Sequence, residues 1–285
     1  MNRQVVYLMS GRAHLPYLLV GLRELRKHWA GDVTVFAWPE SYPIAKQIAA
    51  AYGAECVERE PKHRLRKNSQ FLDKIRLMRT FSDDTTTLYL DADTTPAADL
   101  TSIFQETEMR GFCATQFNKW VSTGGIVRKR VKRLADIESI DQRLVQWVLT
   151  HAEPSVNGGV FASKPNSPVL KLWEEWTWDA RNVFIADETV LHVLSAHFAF
   201  PILRGGAWNC SPKYQPDDLA DEDVKIWHFH GDSNVRPEKS QKGYDYWWPL
   251  YEQCLQENIA DVRSWIDAVV AENKHMRKLE KPCVH

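Results

Sequence analysis

Short apolar runs alternate with helically spaced apolar stripes along most of the chain. Val5 to Met9 is an unbroken apolar run, as in a strand buried on both faces. Leu15, Leu18, Leu19, Leu22, Leu25 and Trp29 then recur at helical spacing until Gly31 ends the pattern. Next come a strand at Asp32 to Ala37, a helix at Tyr42 to Tyr52 closed by Gly53, and a short strand at Ala54 to Val57. A helix over residues 69 to 81 leads to a strand at Thr86 to Leu90, and Gly111 to Gln116 gives the next strand. Beyond it lie a helical stretch from Val127 to Thr150, a strand at Gly158 to Ser163, and helices at Pro168 to Trp178 and Asp187 to His197. Strands return at Ala199 to Leu203 and Val224 to Phe229. Alternating β and α elements predict an α/β fold with a mostly parallel central sheet.

From Tyr244 the pattern turns helical. Tyr251, Leu255, Ile259, Val262, Ile266 and Val269 share one stripe until charge takes over at Lys274. This predicts a C-terminal helical appendage over residues 241–285 on a main domain at 1–240. The main domain divides at about residue 117 into a nucleotide-binding half, 1–117, and a second half, 118–240.

The strand at Thr86 to Leu90 runs into Asp91-Ala92-Asp93, two carboxylates spaced to reach one divalent cation. Ligands of open α/β sheets gather outside the carboxyl ends of strands. Oxygen ligands favour a hard cation, Mn²⁺ or Mg²⁺, which usually keeps substrate phosphate oxygens in its shell. A diphosphate partner is implied. The plainer alternative is a pair of solvated residues capping the strand ahead of a helix at Pro96 to Phe104. Three later segments bear on the choice. In Ser155-Val156-Asn157-Gly158-Gly159-Val160, the glycines let backbone approach a ligand closely, and Asn157 offers donor and acceptor to a sugar hydroxyl. Asp187 and Glu188 open a helix, where Asp187 is equally an ordinary cap. Trp227-His228-Phe229-His230-Gly231 ends a strand in imidazoles, and His228 offers Mn²⁺ a third protein ligand.

Composition narrows the setting. At 285 residues with 44% hydrophobic content the chain can bury a full core. A formal net charge of −1 gives no global attraction to nucleic acid or acidic lipid, so any such attraction is local. Two basic clusters exist: Lys62, Arg64, Arg66 and Lys67, and Arg128, Lys129, Arg130, Lys132 and Arg133. Five scattered cysteines without Cys-x-x-Cys spacing fit reduced thiols in a cytoplasmic protein. No stretch reaches membrane-spanning length and no signal-peptide pattern opens the sequence. Tyr244, Tyr246, Trp247 and Trp248 with the later Lys274, Arg277, Lys278 and Lys281 suit either a membrane surface, peripherally bound, or a helix pinned to the domain.

In this order the pieces resemble the GT-A-type glycosyltransferases, most of all the family 8 group of glycogenin-like and galactosyltransferase-like enzymes. The resemblance spans roughly residues 1 to 235. Asp91, Ala92 and Asp93 stand for the family's Asp-x-Asp, and Asn157, Gly158, Gly159 and Val160 for its donor-sugar segment. Asp187 and Glu188 stand for its Asp-Gln pair, and His228, Phe229, Gly231 and Asn234 for its His-Phe-x-Gly-x-x-Lys element. By the same resemblance, Tyr7 lies where the nucleobase and ribose are held, and Lys74 faces the diphosphate or donor sugar. The resemblance implies a Rossmann-like GT-A fold and a cation held by Asp91, Asp93 and His228. The implied donor is a nucleotide diphosphate sugar, a UDP-sugar above all, whose hexose moves to an acceptor hydroxyl with retention of configuration.

Two positions depart from the family. Glu188 replaces Gln near the anomeric carbon, an ionisable oxygen that suits a nucleophile or, as the alternative to retention, an inverting general base. Asn234 removes a Lys that would neutralise the leaving diphosphate, leaving that work to Lys74, the metal or Arg236. Asp187 and Glu188 are the candidate catalytic carboxylates, opposing positive charge at an oxocarbenium-like centre. The expected acceptor is a glycan or glycolipid. If the basic clusters share the site's face, a polyanionic acceptor such as DNA with hydroxylated bases is the alternative. A sugar-nucleotide-binding protein without turnover is the alternative of another class. A sugar nucleotidyltransferase lacks support, since Ser10-Gly11-Arg12-Ala13 offers a single glycine.

Overall fold

The computed structural model describes residues 2–62, 69–121, 123–230, 244–257, 259 and 261–280. The first half comprises β1 (Asn2–Met9), α1 (Leu15–His28), β2 (Asp32–Ala37), α2 (Tyr42–Ala51), β3 (Glu55–Glu58) and α3 (Ser69–Met78). It continues through β4 (Thr85–Asp91), β5 (Thr94–Pro96), α4 (Thr101–Arg110) and β6 (Phe112–Val121). The second half runs α5 (Gly125–Lys132), α6 (Gln142–Thr150), β7 (Pro154–Ser163), α7 (Pro168–Asp179) and α8 (Ala186–Phe198). After β8 (Ile202–Leu203), α9 (Gly205–Trp208) and β9 (Ile226–His228), the chain ends in α10 (Tyr244–Gln256) and α11 (Val262–Glu280).

Seven strands form one sheet in the order β3-β2-β1-β4-β7-β6-β8. The neighbours β3, β2, β1 and β4 are parallel, as βαβ units require. The long β7 enters beside β4 in the opposite direction and pairs antiparallel with both β4 and β6. The sheet is therefore mixed but mostly parallel, as the sequence pattern predicts.

Strand residues of opposite parity face two separate cores. Val5, Tyr7 and Met9 pack toward α1, α2, α4, α10 and α11. Val6, Leu8, Tyr89 and Phe161 pack toward α3 and the helices α5 to α8. Both faces of β1 are dry, which explains why its sequence runs apolar without alternation.

Several elements differ from the sequence expectation. The stretch from Val127 to Thr150 is two helices, α5 and α6, and Asp141 caps the second by accepting from the Arg143 amide. The helix expected from Pro96 starts at Thr101, because Thr94–Pro96 is a strand paired antiparallel with β9. The C-terminal stripe breaks between Gln256 and Val262, with Asp261 in the left-handed region at φ 61°. Trp247, Tyr251, Cys254, Val262 and Ile266 from α10 and α11 are all buried in the core shared with α1. That burial gives the aromatics near Tyr244 a packing role. No described helix is long and apolar enough to cross a membrane.

Two layers approach closely at Gly21. A Cβ there would sit 2.6 Å from the Thr94 carbonyl oxygen, so α1 lies directly against β5 with no room for a methyl group. Gly21→Ala gains about 1 kcal/mol of helix propensity, but it must displace backbone that cannot rotate away. We expect a net loss within the range of about 1–3 kcal/mol typical of overpacking, read as a lower urea midpoint at unchanged m-value.

Candidate active site

Asp91 is the last residue of β4, and the turn after it is closed by Thr94 Oγ1 donating to the Asp91 carbonyl at 2.7 Å. The chain then enters β5, whose ladder sets Thr94 opposite His228. The Phe229 amide donates to the Asp93 carbonyl at 2.9 Å. This short antiparallel pair carries residues 135 positions apart to one spot: His228 Nε2 is 3.1 Å from Asp93 Oδ1 and 3.9 Å from Asp91 Oδ2. One ligand atom from each of Asp91, Asp93 and His228 lies within 4.8 Å of the others. Two carboxylates and an imidazole suit Mn²⁺ better than Mg²⁺. Tyr89 steadies the set by donating its hydroxyl to Asp91 Oδ1 at 2.9 Å.

Electrostatics follow from this packing. Burial works to raise the Asp93 pKa, yet the charge and hydrogen bond of His228 outweigh it and hold the carboxyl well below the usual range. Burial likewise opposes charge on His228, and Asp93 more than offsets it, so the imidazole pKa lies above its ordinary value. Without a bound cation the ring thus holds a proton more readily than a free imidazole, whereas a cation at Nε2 would require the neutral ring.

Beside this trio, β7 brings Asn157, Gly158 and Gly159. A Cβ on Gly159 would lie 2.5 Å from Asp91 Oδ2, 2.9 Å from Asn157 Oδ1, and against the His228 ring. A Cβ on Gly158 would meet Lys74 Nζ at 2.9 Å and Asp187 Oδ2 at 3.0 Å. The glycines are required, but by the protein's own side chains crowding over the strand rather than by a ligand alone. Lys74 Nζ reaches Asp187 Oδ2 at 2.5 Å and donates to the Gly158 carbonyl at 2.9 Å. Burial works to lower the Lys74 pKa, while Asp187 and then Asp91 raise it further, so the lysine is cationic.

Asp187 and Glu188 lie in the first turn of α8, whose N-cap Ile185 is a β-branched residue in the left-handed region at φ 52°. They part company there. Asp187 is closed off with Lys74, 1% exposed at its side chain. Glu188 accepts from Asn157 Nδ2 at 2.5 Å through Oε1 and from Arg130 Nη1 at 3.2 Å through Oε2. Burial first, and the Asp187 charge second, push its pKa up to about 7.

A cleft of about 260 Å³ opens in front of the Asp pair, lined also by Leu8, Ser10, His14, Gln70, Phe71 and Lys74. Tyr7 does not reach it. Its ring is fully buried on the α1 side of the sheet, and the next residue along β1, Leu8, is the one that faces the cleft. Gly231 and Asn234, with Arg236, lie outside the described residues. So do Arg64, Arg66 and Lys67 of the first basic cluster. The second cluster forms α5, where Arg128, Lys129, Lys132 and Arg133 are exposed while Arg130 turns inward to Glu188. Sequence reasoning missed this inward turn, the lining residues Leu8 and His14, and Asn209. The buried Asn209 side chain accepts from or donates to three site residues: His228, Asn157 and Thr115.

No protein-family model matches the sequence, and no curated protein does. Solved structures do match the fold. The galactosyltransferase LgtC, in complex with donor and acceptor sugar analogs, superposes with a TM-score of 0.60 at 15% identity, covering 88% of this chain and 95% of that one. An active-site glutamine-to-glutamate mutant of LgtC matches with the same score at 13% identity and the same coverage. Mouse xyloside xylosyltransferase 1 matches at 0.58 and 12% identity, over 84% of this chain and all of that one. The architecture around the Asp91–Asp93–His228 cluster is accordingly that of the GT-A glycosyltransferases.

Proposed function

We propose that the chain is a metal-dependent glycosyltransferase that moves a hexose from a nucleotide diphosphate sugar, a UDP-sugar in the first instance, to an acceptor hydroxyl of a glycan or glycolipid. The observation that carries this reading is the convergence of Asp91, Asp93 and His228 at the mouth of a cleft at the carboxyl end of β4. Similar folds are known with donor and acceptor sugar analogs bound, as in LgtC, which supports the substrate class.

On this reading Asp91, Asp93 and His228 hold Mn²⁺, which when bound supplies positive charge to the departing nucleotide diphosphate. The rest of the work falls to side chains. Asp187 and Glu188 oppose the positive charge that builds at the anomeric carbon. Asn157 and Arg130 fix both oxygens of Glu188, holding it as an oriented carboxylate. Lys74 is already paired with Asp187, so its role is to hold that carboxylate in place rather than to meet the diphosphate by itself. We assign retention of anomeric configuration on the strength of the family resemblance, and the anomer of the product, read by NMR, checks it. Action in the cytoplasm is part of the same proposal, on the strength of scattered cysteines without Cys-x-x-Cys spacing.

The deciding experiment is a panel of nucleotide diphosphates and nucleotide sugars, each with Mn²⁺, Mg²⁺ or chelator, read as thermal shift and donor hydrolysis. A Mn²⁺-dependent shift with one nucleotide is expected, and none with any nucleotide in folded protein sinks the donor reading. Asp91→Asn and Asp93→Asn should each cost about 100-fold or more in transfer, the scale on which electrostatic stabilisers of a leaving group act, with the Tm retained. Equal activity in chelator would contradict the metal's part.

Glu188 gives a pH prediction of definite sign. Its pKa of about 7 lies above the ordinary 4.5, so between those values the folded state binds more protons than the unfolded one. Stability from this group therefore falls as pH rises from about 4.5 to 7. Glu188→Gln should gain stability relative to wild type across that window, measured as the difference in urea midpoints. The activity limb governed by ionised Glu188 should rise through about pH 7 in wild type and vanish in the variant.

A further inference from the structure

We propose that Asn209 is a positioning residue that holds a hydrogen on His228 Nδ1, so that Nε2 is the nitrogen left to ligate the cation. The inference rests on the metal reading above. It starts from the hydrogen-bond identity of every atom around the Asn209 amide, which is fully buried at the carboxyl end of α9.

Asn157 Oδ1 accepts from the Gly159 backbone amide at 2.8 Å, and a backbone amide can only donate. That edge of Asn157 is therefore oxygen, and its Nδ2 faces Glu188. Thr115 Oγ1 gives its own hydrogen to the Val160 carbonyl at 2.9 Å, leaving lone pairs toward Asn209. Both neighbours on that side of Asn209 thus demand a donor. Its Nδ2 supplies one hydrogen to each, at 2.9 Å to Thr115 and 2.8 Å to Asn157. The amide has one remaining edge, Oδ1, and it lies 2.8 Å from His228 Nδ1. An amide oxygen accepts and never donates, so the hydrogen in that contact belongs to Nδ1.

The constraint matters because the other side of the ring pulls the opposite way. Nε2 faces Asp93 Oδ1 at 3.1 Å and Asp91 Oδ2 at 3.9 Å. A neutral imidazole with two carboxylates at Nε2 and nothing at Nδ1 would keep its single proton on Nε2, where it blocks ligation. Asn209 competes for that proton from the far side, as the outer hydrogen bond of a metal-ligating histidine generally does. Backbone geometry holds it there: the Cys210 amide donates to the Ile226 carbonyl at 2.9 Å and the His228 amide to the Cys210 carbonyl at 2.8 Å. The segment after α9 is thereby laced to β9, and Asn209 moves with the residue it orients.

The test compares Mn²⁺ binding by calorimetry in full-length wild type, Asn209→Ala and Asn209→Asp, with ring ¹⁵N NMR of the wild type saturated with diamagnetic Mg²⁺. Asn209→Ala should bind Mn²⁺ about 10–100-fold more weakly, the usual cost of losing such a partner. Asn209→Asp, which keeps an acceptor at Nδ1 and loses both donors, should recover most of that affinity, a result that a purely structural amide would not give. The NMR spectrum should show the His228 hydrogen on Nδ1. A hydrogen on Nε2 overturns the proposal even if Asn209→Ala fails to fold, and so does wild-type affinity in Asn209→Ala or no recovery in a folded Asn209→Asp. A wild type that binds no Mn²⁺ overturns the metal reading itself, which is a separate and recognisable failure.

Discussion

The buried ion pair between Lys74 and Asp187 is the constraint around which the site is arranged. Taking two charges out of water costs several kcal/mol per ion, and only close contact with further hydrogen bonds offsets it. Here the lysine side chain is 5% exposed and the aspartate 1%, at a separation of 2.5 Å. The lysine comes from α3 and the aspartate from α8, so the pair bridges two helices across the middle of β7. It occupies the volume a side chain at position 158 would fill, and it also donates to that residue's carbonyl. With Asp187 committed, the next residue, Glu188, faces Asn157 and Arg130 instead. Two adjacent carboxylates thus have different partners.

Around that pair the charges do not balance. The carboxylates of Asp91, Asp93, Asp187 and Glu188 converge on two fixed cations, Lys74 and Arg130, and the nearby Asp93 charge raises the His228 pKa against burial. A divalent cation would correct the imbalance with the ring neutral. Hydrogen bonds prepare the ligands for this: Tyr89 aligns Asp91, and the Asn157–Asn209–Thr115 group aligns His228. The metal trio and the donor-sugar segment share these atoms, so they are one network rather than two neighbouring sites.

Much of the fold was legible in the sequence, because strand and helix periods reflect burial directly. Asp91, Asp93, His228 and the paired glycines stood out because each sits at the end of an apolar run, where chemistry is spliced onto scaffold. What stayed hidden depends on long-range placement. An unbroken apolar strand does not say which parity faces the cleft, so the resemblance points to Tyr7 while Leu8 is the lining residue. Arg130 belongs to a run of charges whose solvated members it resembles, and only the packing of α5 against α8 singles it out. Asn209 is an isolated polar residue in a segment without regular period, and its importance lies entirely in partners 19, 52 and 94 positions away. The antiparallel entry of β7 is equally silent, since a buried strand reads alike in either direction.

The contact of Gly21 with Thr94 has a thermodynamic meaning for ligand capture. Thr94 directly follows Asp93, so the loop bearing both acidic ligands is wedged against a rigid 14-residue helix instead of floating above the sheet. A loop held in this way loses little conformational freedom when a cation arrives. The ordering cost of the site is met during folding, and the binding step can spend its free energy on affinity.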